Sequence, residues 1–265
     1  MRNYPGFLDS VSGFEIADLF RKHAEKFGAE IIEEDVKAIA VEGLCKIVET
    51  NKGTYRAKSI VFATGAHPRK LAVPGEEKFT GRGVSYCATC DGAFYRNKVV
   101  AVVGGGDSAV EEAIFLTKFA KKVYIIHRRD ELRAVKIVQE RAFENKKIEI
   151  IWDSVIQSID GKDVVEKVYL YNRKKDKIVE MAVDGVFVYV GIIPNNGLVE
   201  SRVECDEGGF IVTDENMHTN IPGFYAAGDI VHKTLRQVVT AASDGAIAAF
   251  SAEKWIEKNK NNFEY

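Results

Sequence analysis

The sequence predicts an α/β fold in which two Rossmann-like three-layer domains share one chain, one of them inserted into the other. Two observations predict it. The apolar strand Val99–Val103 runs directly into a glycine-rich turn that opens a helix, which is the element order of a nucleotide-binding unit. In addition, residues 60–65 form an apolar strand ending in glycine with Pro68 three residues on, and residues 187–191 repeat this arrangement before Pro194.

The similarity between these two strands has two interpretations. A duplicated nucleotide-binding architecture would place them where the chain crosses between domains. Residues 66–195 would then be the inserted domain, and residues 1–65 with 196–265 would form the other. The alternative is a coincidence between two buried strands, and the similarity alone does not choose between them.

Composition excludes several classes of function. The 265 residues, 46% hydrophobic and 29% charged, suit a globular protein of one large domain or two ordinary ones. The formal net charge of −2 argues against a general nucleic-acid binder. No apolar run approaches the roughly 18 residues of a membrane span, and the N-terminus lacks the pattern of a secretory signal. Four cysteines are too few for a disulfide scaffold, which predicts a reducing compartment, the cytoplasm.

Local patterns predict the elements around these motifs. Ser12 and Glu15 form a capping-box pair that begins a helix, and Gly28 ends it. Helices are also predicted from the glycine-rich turn to about Ala120 and from about Gln237 onward. Further strands are predicted at 30–32, 38–41, 44–49, 123–126, 186–190 and 224–227, an antiparallel region at 148–183 and a loop at 66–83.

The glycine-rich turn has the spacing of a dinucleotide-binding motif. Gly104 allows the tight turn, Gly106 lets the backbone approach a pyrophosphate, and Ala109 stands where a third glycine would pack the helix against the strand. The N–H groups at the helix start, around Asp107 and Ser108, are expected to bind the phosphates. A glycine-rich turn without a ligand is the alternative, which the strand–turn–helix context disfavours.

The end of the second strand distinguishes NAD from NADP. An NAD site carries an acid about 20 residues after the motif, where it binds the ribose 2′-hydroxyl. This sequence has His127, Arg128 and Arg129 there, with Arg133 one turn later. Guanidinium groups match a 2′-phosphate in charge and in bidentate geometry. The sequence therefore predicts NADPH, the alternative being a solvated basic cluster.

Cys87 and Cys90 have the C-x-x-C spacing that indicates redox chemistry in an α/β chain of a reducing compartment. Two intervening residues let the sulfur atoms close into a disulfide, and the motif lowers the thiol pKa so that a thiolate is available for exchange. Asp91 follows directly and has two interpretations. It is either a proton donor and acceptor for the thiolate or a turn residue before Gly92.

A zinc site is the rival explanation for the cysteine pair. Structural zinc needs four ligands, usually from two such pairs. Cys45 and Cys205 are isolated in the sequence, and no two histidines have ligand spacing. We therefore predict no metal site and interpret Cys45 and Cys205 as small core residues.

Together these motifs resemble one family, the low-molecular-weight thioredoxin reductases of bacteria and archaea. The similarity extends from about residue 3 to residue 258. It implies an enzyme that passes NADPH electrons through FAD to Cys87–Cys90 and on to thioredoxin or a similar small disulfide protein, and it implies a homodimer. The segments that match in order and spacing are 63–69, 73–76, 81–92, 104–109, 127–130, 221–229 and 236–237.

The resemblance also implies an FAD site outside the inserted domain. The family's contacts with FAD map onto Thr64 and Gly65 along the cofactor, Gly228 and Asp229 at its ribityl and pyrophosphate region, and Arg236 and Gln237 near its isoalloxazine ring.

One feature of the family has no counterpart in this sequence. The family opens with a strand, a G-x-G-x-x-G turn and a helix that cradle the FAD pyrophosphate, and no other glycine motif of the chain substitutes for them. The sequence therefore predicts an FAD-type domain that is truncated at its start and binds FAD weakly. Two other functions stay open: an NADPH-binding module without flavin or turnover, and a flavin-dependent reductase of a different protein disulfide.

Overall fold

A computed structural model describes residues 4–7, 11–199 and 201–263. The chain divides into two compact units. We call Pro68–Ile192 the inserted unit, and Met1–His67 with Ile193–Tyr265 the outer unit. The domain boundaries expected from the sequence, before residue 66 and after residue 195, lie within three residues of these limits.

The helices and strands are named in chain order. The helices are α1 (Gly13–Lys26), α2 (Glu76–Phe79), α3 (Ala88–Asp91), α4 (Asp107–Leu116), α5 (Lys136–Glu144) and α6 (Val238–Asn259). The strands of the outer unit are β1 (Val36–Glu42), β2 (Cys45–Thr50), β3 (Thr54–Ala57), β4 (Ile60–Phe62) and β15 (Phe224–Ala226). Those of the inserted unit are β6 (Val84–Ser85), β7 (Val99–Val103), β8 (Lys122–Ile126), β9 (Ile148–Ile151), β10 (Ser154–Asp160), β11 (Lys167–Asn172), β12 (Lys177–Ala182) and β13 (Gly185–Val188). Two short strands, β5 (Ala66–Pro68) and β14 (Ile192–Pro194), form a two-stranded sheet where the chain passes between the units.

The inserted unit has three layers around a parallel sheet in the order β6-β13-β7-β8-β9. Alternate side chains of β7 face opposite layers, as the pleat requires. Val100 and Val102 pack in one apolar cluster with α4 and α5. Ala101 and Val103 pack in a second cluster with the antiparallel sheet β10-β11-β12. Both faces of the sheet are therefore buried, which explains why β7 is apolar throughout.

The carboxyl ends of the parallel strands position the site. The strand β7 leads into Gly104, β8 into His127 and β13 into Tyr189, and the three strands are neighbours in the sheet. In open α/β sheets, ligands bind at this edge.

The outer unit contains the parallel pair β4–β15, the antiparallel sheet β1-β2-β3 and helix α6. The rings of Phe62 and Phe224 meet edge to face with centroids 5.3 Å apart. The hydroxyl of Tyr225 donates to the Ser251 carbonyl at 3.1 Å, which ties β15 to α6.

Most of the predicted elements are present. The capping box at the start of α1 is confirmed, because Ser12 N–H donates to Glu15 Oε2 at 2.8 Å and Glu15 N–H donates to Ser12 Oγ at 3.1 Å. Gly28 follows the end of that helix with a φ of +88°. The helix that follows the glycine-rich turn ends at Leu116 rather than near Ala120, and the Thr117 hydroxyl donates to the Ile114 carbonyl at 2.6 Å.

Three predictions of local structure were wrong. Residues 30–32 are not a strand, and Ile31 and Ile32 are exposed, because β propensity forms a strand only where a neighbour supplies pairing. The region 148–183 is not uniformly antiparallel, since Ile148–Ile151 pairs parallel to β8. An apolar run does not reveal the direction of its partner strand. The expected loop 66–83 also contains α2.

No helix within 4–7, 11–199 and 201–263 combines the length and the apolar character that crossing a membrane requires.

Replacing Gly185 by Ala tests the packing of the inserted unit. A Cβ atom there would lie 2.2 Å from Cε1 of Tyr95, whose ring packs on Phe187. We expect Gly185→Ala to lower the free energy of unfolding by about 1–3 kcal/mol, as overpacking does. Urea denaturation, monitored by circular dichroism, measures this change in the free energy of unfolding. Gly245→Ala in α6 is the control, because no atom lies within 4 Å of its added Cβ. Equal stability of the two variants would contradict this packing.

Candidate active site

The glycine turn after β7 has no room for side chains at its first two positions, Gly104 and Gly105. Gly104 has a φ of +150°, and a Cβ on it would lie 2.5 Å from the Tyr189 carbonyl oxygen and 2.6 Å from the Ala109 Cβ. A Cβ on Gly105 would lie 2.3 Å from the ring of His127. Gly106 is the N-cap of α4. The turn therefore presents bare backbone at the start of a helix, as a phosphate-binding turn must.

A second segment is fastened to this turn. The N–H groups of Arg133 and Ala134 both donate to the Gly105 carbonyl, at 2.6 and 3.1 Å. The Asp107 carboxylate accepts the N–H of Val135 at 2.8 Å. Asp107, expected from the sequence at the phosphates, thus binds this segment through its side chain and brings Arg133 beside the turn.

The turn forms one wall of a cavity of about 340 Å³ within the inserted unit. Four cationic side chains line the cavity, and none of its lining residues is acidic in the part of the chain that the structure describes. A cavity with this charge attracts anions such as nucleotide phosphates. The lining residues used below are Arg69, Lys70, Gly104, Gly105, His127, Arg128, Arg133 and Tyr189.

The predicted arginines are not equivalent in the structure. Arg128 and Arg133 line the cavity, and both side chains reach solvent. Arg129 is exposed on the same segment but does not line it. Arg69 and Lys70 also line the cavity, a role that the sequence did not predict, and their only signal was their position after Pro68.

His127 forms part of the cavity wall and is only 4% exposed. Its Nε2 atom is buried and has no hydrogen-bond partner among the described residues. Burial, and to a smaller extent the charges of Arg133 and Arg128, lowers the pKa of His127, against the effect of backbone hydrogen bonds. The ring, whose neutral form burial favours, lies against Gly105, and His127 remains a predicted member of the nucleotide site.

Two further residues of the predicted nucleotide site, Ser108 and Ala109, lie in the first turn of α4 and differ in exposure. Ser108 is exposed at the helix start, whereas Ala109 is 1% exposed and packs against the strand. Ala109 therefore takes the packing position that the motif assigns to a third small residue.

Cys87 and Cys90 are joined by a disulfide, with Cα atoms 5.3 Å apart. Cys87 is the N-cap of the short helix α3, and the N–H of Cys90 donates to the Cys87 sulfur at 3.2 Å. The Thr89 hydroxyl lies 3.3 Å from the same sulfur. Hydrogen-bond donors around a sulfur favour its thiolate form.

Asp91 connects to the cysteine pair through a serine that the sequence analysis missed. The Ser85 hydroxyl donates to Asp91 Oδ2 at 2.7 Å and accepts the N–H of Cys87 at 3.1 Å. Ser85 is buried and Asp91 is half-buried. The carboxylate is thus linked through Ser85 to the backbone at Cys87.

Two tyrosines hold the segment that carries the cysteines. The Tyr86 hydroxyl donates to Glu76 Oε1 at 2.8 Å, and burial, followed by the Glu76 charge, raises the pKa of Tyr86 to about 12. On the other side, the Tyr189 hydroxyl accepts the N–H of Ala88 at 2.6 Å.

The remaining cysteines play no part in this arrangement. Cys45 and Cys205 are half-buried and form no disulfide. Among the residues whose placement is described, no group of three or more His, Cys, Asp or Glu side chains is arranged to hold a metal ion.

Within the outer unit, Thr64 and Gly65 form a turn bound by Asn195. The Thr64 hydroxyl donates to the Asn195 carbonyl and the Asn195 side-chain amide donates to the Thr64 carbonyl, each at 2.8 Å. Gly65 has a φ of +69°. The turn is thus fixed in the left-handed region that favours glycine.

Gly228 and Asp229 follow β15 directly. The N–H of Gly228 donates to Asp244 Oδ2 at 2.9 Å, and the same carboxylate pairs with Lys233. Asp229 Oδ1 is buried without a hydrogen-bond partner in the described part of the chain. Burial raises the pKa of Asp229, while the charges of Lys233 and Arg236 oppose that shift. A buried, unpartnered carboxylate oxygen fits a ligand hydroxyl group.

Arg236 and Gln237 lie at the start of α6. The Arg236 guanidinium donates to the carbonyls of Asp229, Lys233 and Val231 at 3.1–3.3 Å. Gln237 is the N-cap of the helix. Arg236 therefore holds the loop that follows Gly228.

Comparisons with known proteins agree with this arrangement. The profile of the pyridine nucleotide-disulphide oxidoreductase family matches residues 2–245. The chain is 47% identical to a thioredoxin reductase of Peptoclostridium litorale, over 97% of this chain and 83% of that protein. It is 48% identical to a thioredoxin reductase of Listeria innocua, over 100% of this chain and 83% of that protein.

A solved structure shows the same relationship. The crystal structure of thioredoxin reductase from Streptococcus pyogenes MGAS5005 matches with a TM-score of 0.91 and 50% identity, over 97% of this chain and 84% of that one. The fold is therefore α/β with a parallel sheet core. The chain belongs to the thioredoxin reductase family of pyridine nucleotide-disulphide oxidoreductases.

Proposed function

We propose that the chain acts as an NADPH-dependent thioredoxin-disulfide reductase. The observation that carries the proposal is the Cys87–Cys90 pair, held in the same unit as a basic cavity beside a bare glycine turn. The inserted unit would be the NADPH-binding domain and the outer unit an FAD-type domain. The net reaction is NADPH plus a proton plus a protein disulfide, giving NADP⁺ and a protein dithiol.

The cavity supplies the nucleotide contacts. The backbone at Gly104 and Gly106 would approach the pyrophosphate, and the N–H groups of the first turn of α4 would face it. Arg128 and Arg133 would pair with the 2′-phosphate. Arg129 would contribute longer-range charge, since it lies outside the cavity wall. His127, being neutral and buried, would support the turn.

Exchange at the cysteines follows from their chemistry. In the reduced pair, one thiolate attacks the partner's disulfide, forms a mixed disulfide and releases a partner thiolate. The other cysteine then attacks the mixed disulfide, restores the Cys87–Cys90 bond and releases the second partner thiolate. Two electrons pass to the partner, which takes up two protons.

Asp91 directly follows Cys90 and carries a group suited to handle a proton. Its carboxylate accepts the Ser85 hydroxyl, and Ser85 also binds the backbone of Cys87. In our proposal Asp91 holds and returns the proton that a cysteine gives up when it becomes a thiolate.

FAD would be held in the outer unit by the residues that form its turns. Thr64 and Gly65 would lie along the cofactor, and Asp229 would use its unpartnered oxygen. Arg236 would hold the loop near the ring, with Gln237 at the helix start. When bound, FAD supplies the relay between a hydride donor and a disulfide.

Thioredoxin, or a similar small disulfide protein, is the proposed partner because the relatives above are named for that reaction. The homodimer and the cytoplasmic location remain part of the proposal. Sedimentation of the purified chain at two concentrations tests the dimer directly.

The preference for NADPH over NADH is the first test. We expect Arg128→Ala and Arg133→Ala each to weaken NADPH binding at least about tenfold, or roughly 1.4 kcal/mol, and to leave NADH nearly unchanged. The reason is that only NADPH carries the 2′-phosphate. Fluorescence titration with each nucleotide measures it. Arg141→Ala, an exposed arginine of α5, is the control. Equal losses for both nucleotides would show that these arginines do not contact that phosphate.

The redox pair is the second test. With FAD supplied, we expect Cys87→Ser and Cys90→Ser to abolish NADPH-dependent reduction of thioredoxin, because exchange needs both sulfur atoms. Cys45→Ser and Cys205→Ser are the controls and should stay within a few-fold of the parent. Insulin precipitation by the reduced thioredoxin is the readout. A control cysteine as important as Cys87 would mean that the redox pair is wrongly assigned.

A further inference from the structure

Tyr189 lies between the cavity and the cysteine pair. It follows β13 directly, and its N–H donates to the Val103 carbonyl at 2.8 Å. Its own carbonyl is the atom that a Cβ on Gly104 would meet at 2.5 Å. Tyr189 is also one of the residues that line the cavity. It is therefore fixed against the glycine turn through its backbone and lies at the cavity wall.

The far end of the same side chain reaches α3. The Tyr189 hydroxyl accepts the N–H of Ala88 at 2.6 Å. Ala88 is 0% exposed, so water does not reach this N–H, and the phenol oxygen is its partner. Ala88 is bonded to Cys87 in the chain. The position of the phenol thus fixes the backbone next to the disulfide.

The phenol is held in its neutral form. Burial, and then the negative charge of Glu112, raises the pKa of Tyr189 well above its usual range. Glu112 Oε2 is itself buried with no partner among the described residues. The hydroxyl therefore accepts from Ala88 while keeping its own proton.

We propose that Tyr189 is a positioning residue that couples the two halves of the site: a nucleotide in the cavity changes the reactivity of the Cys87–Cys90 pair through the hydrogen bond from Ala88 to the Tyr189 hydroxyl. This inference rests on the proposed nucleotide site. It adds that the disulfide and dithiol states of the chain differ in nucleotide affinity.

The coupling has a physical basis in the constraint at α3. In the disulfide state, the S–S bond fixes Cys87 relative to Cys90 and so holds Ala88 against Tyr189. In our proposal, reduction removes that bond and lets the backbone at Ala88 relax, which releases the phenol and so changes the position of Tyr189 at the cavity wall. A ligand shifts an equilibrium only if it binds the two states differently. By thermodynamic linkage, the factor by which reduction changes nucleotide affinity equals the factor by which the nucleotide changes the disulfide equilibrium.

Binding measurements on the two redox states of the full chain test the coupling. The probe is 2′-phospho-ADP-ribose, which has no nicotinamide and therefore exchanges no hydride. Dithiothreitol prepares the dithiol state, giving two electrons and two protons to Cys87–Cys90 and becoming a cyclic disulfide. Titration calorimetry gives the dissociation constant for each state. We expect the two constants to differ about fivefold or more, the lower end of typical coupling.

Variants of Tyr189 test whether this residue couples the redox state of the cysteine pair to nucleotide affinity. Tyr189→Phe keeps the ring and loses the hydroxyl, so the ratio of the two constants should fall to about one, with affinity for the disulfide state changed less than about threefold. In Tyr189→Leu the ratio of the two dissociation constants should also fall to about one. This variant replaces Tyr189→Phe in the test if Tyr189→Phe does not fold. Tyr95→Phe is the matched control, because Tyr95 is a buried tyrosine of the same unit that does not line the cavity, and it should keep the parent ratio.

The outcomes separate the two proposals. If neither state binds the probe, the nucleotide site and the coupling both fall. If both states of the parent bind it equally, the nucleotide site stands and the coupling is wrong. A ratio that persists in Tyr189→Phe and Tyr189→Leu also overturns the role of Tyr189.

Discussion

The close approach of backbone at Gly104 and Gly105 is the constraint on which the inserted unit depends. Side chains there would collide with the Tyr189 carbonyl and the His127 ring, which belong to the segments after the two neighbouring strands. The turn can close only because both positions lack a Cβ. Closing it brings three strand ends together and leaves bare N–H groups at the start of α4. The cavity and its basic lining depend on that closure, and so does the link through Tyr189 to the segment that carries the cysteines.

Exposed charged groups and buried groups have different positions at this edge of the sheet. Cationic groups that reach solvent, Arg128 and Arg133, line the cavity, whereas the His127 ring beside the turn is buried, and burial lowers its pKa. The cysteine pair lies at the start of α3, fastened by Tyr86 on one side and Tyr189 on the other. Rigid attachment of this kind fixes the geometry that thiol–disulfide exchange needs. The basic cavity and the cysteine pair therefore share one packed unit.

The sequence predicted the features that depend on residues close together in the chain. The capping box at Ser12, the strand and turn at Gly104 and the spacing of Cys87 and Cys90 are local patterns, and the structure contains them. It did not predict contacts between distant positions. The bond from Ala88 to Tyr189 joins residues 101 positions apart, and no local pattern marks it. The burial of His127 and the parallel pairing of Ile148–Ile151 likewise depend on packing that residue order does not reveal.

In the proposed reaction, electrons from NADPH arrive at Cys87 and Cys90. Mass spectrometry after alkylation measures this directly: the chain, supplied with FAD, is incubated with NADPH or with an equal concentration of NADH and then quenched with iodoacetamide. Cys45 and Cys205, which form no disulfide, serve as internal references for labelling. We expect Cys87 and Cys90 to become alkylated rapidly with NADPH and to remain joined over the same interval with NADH. A Cys87–Cys90 disulfide that persists while NADPH is oxidised would contradict it.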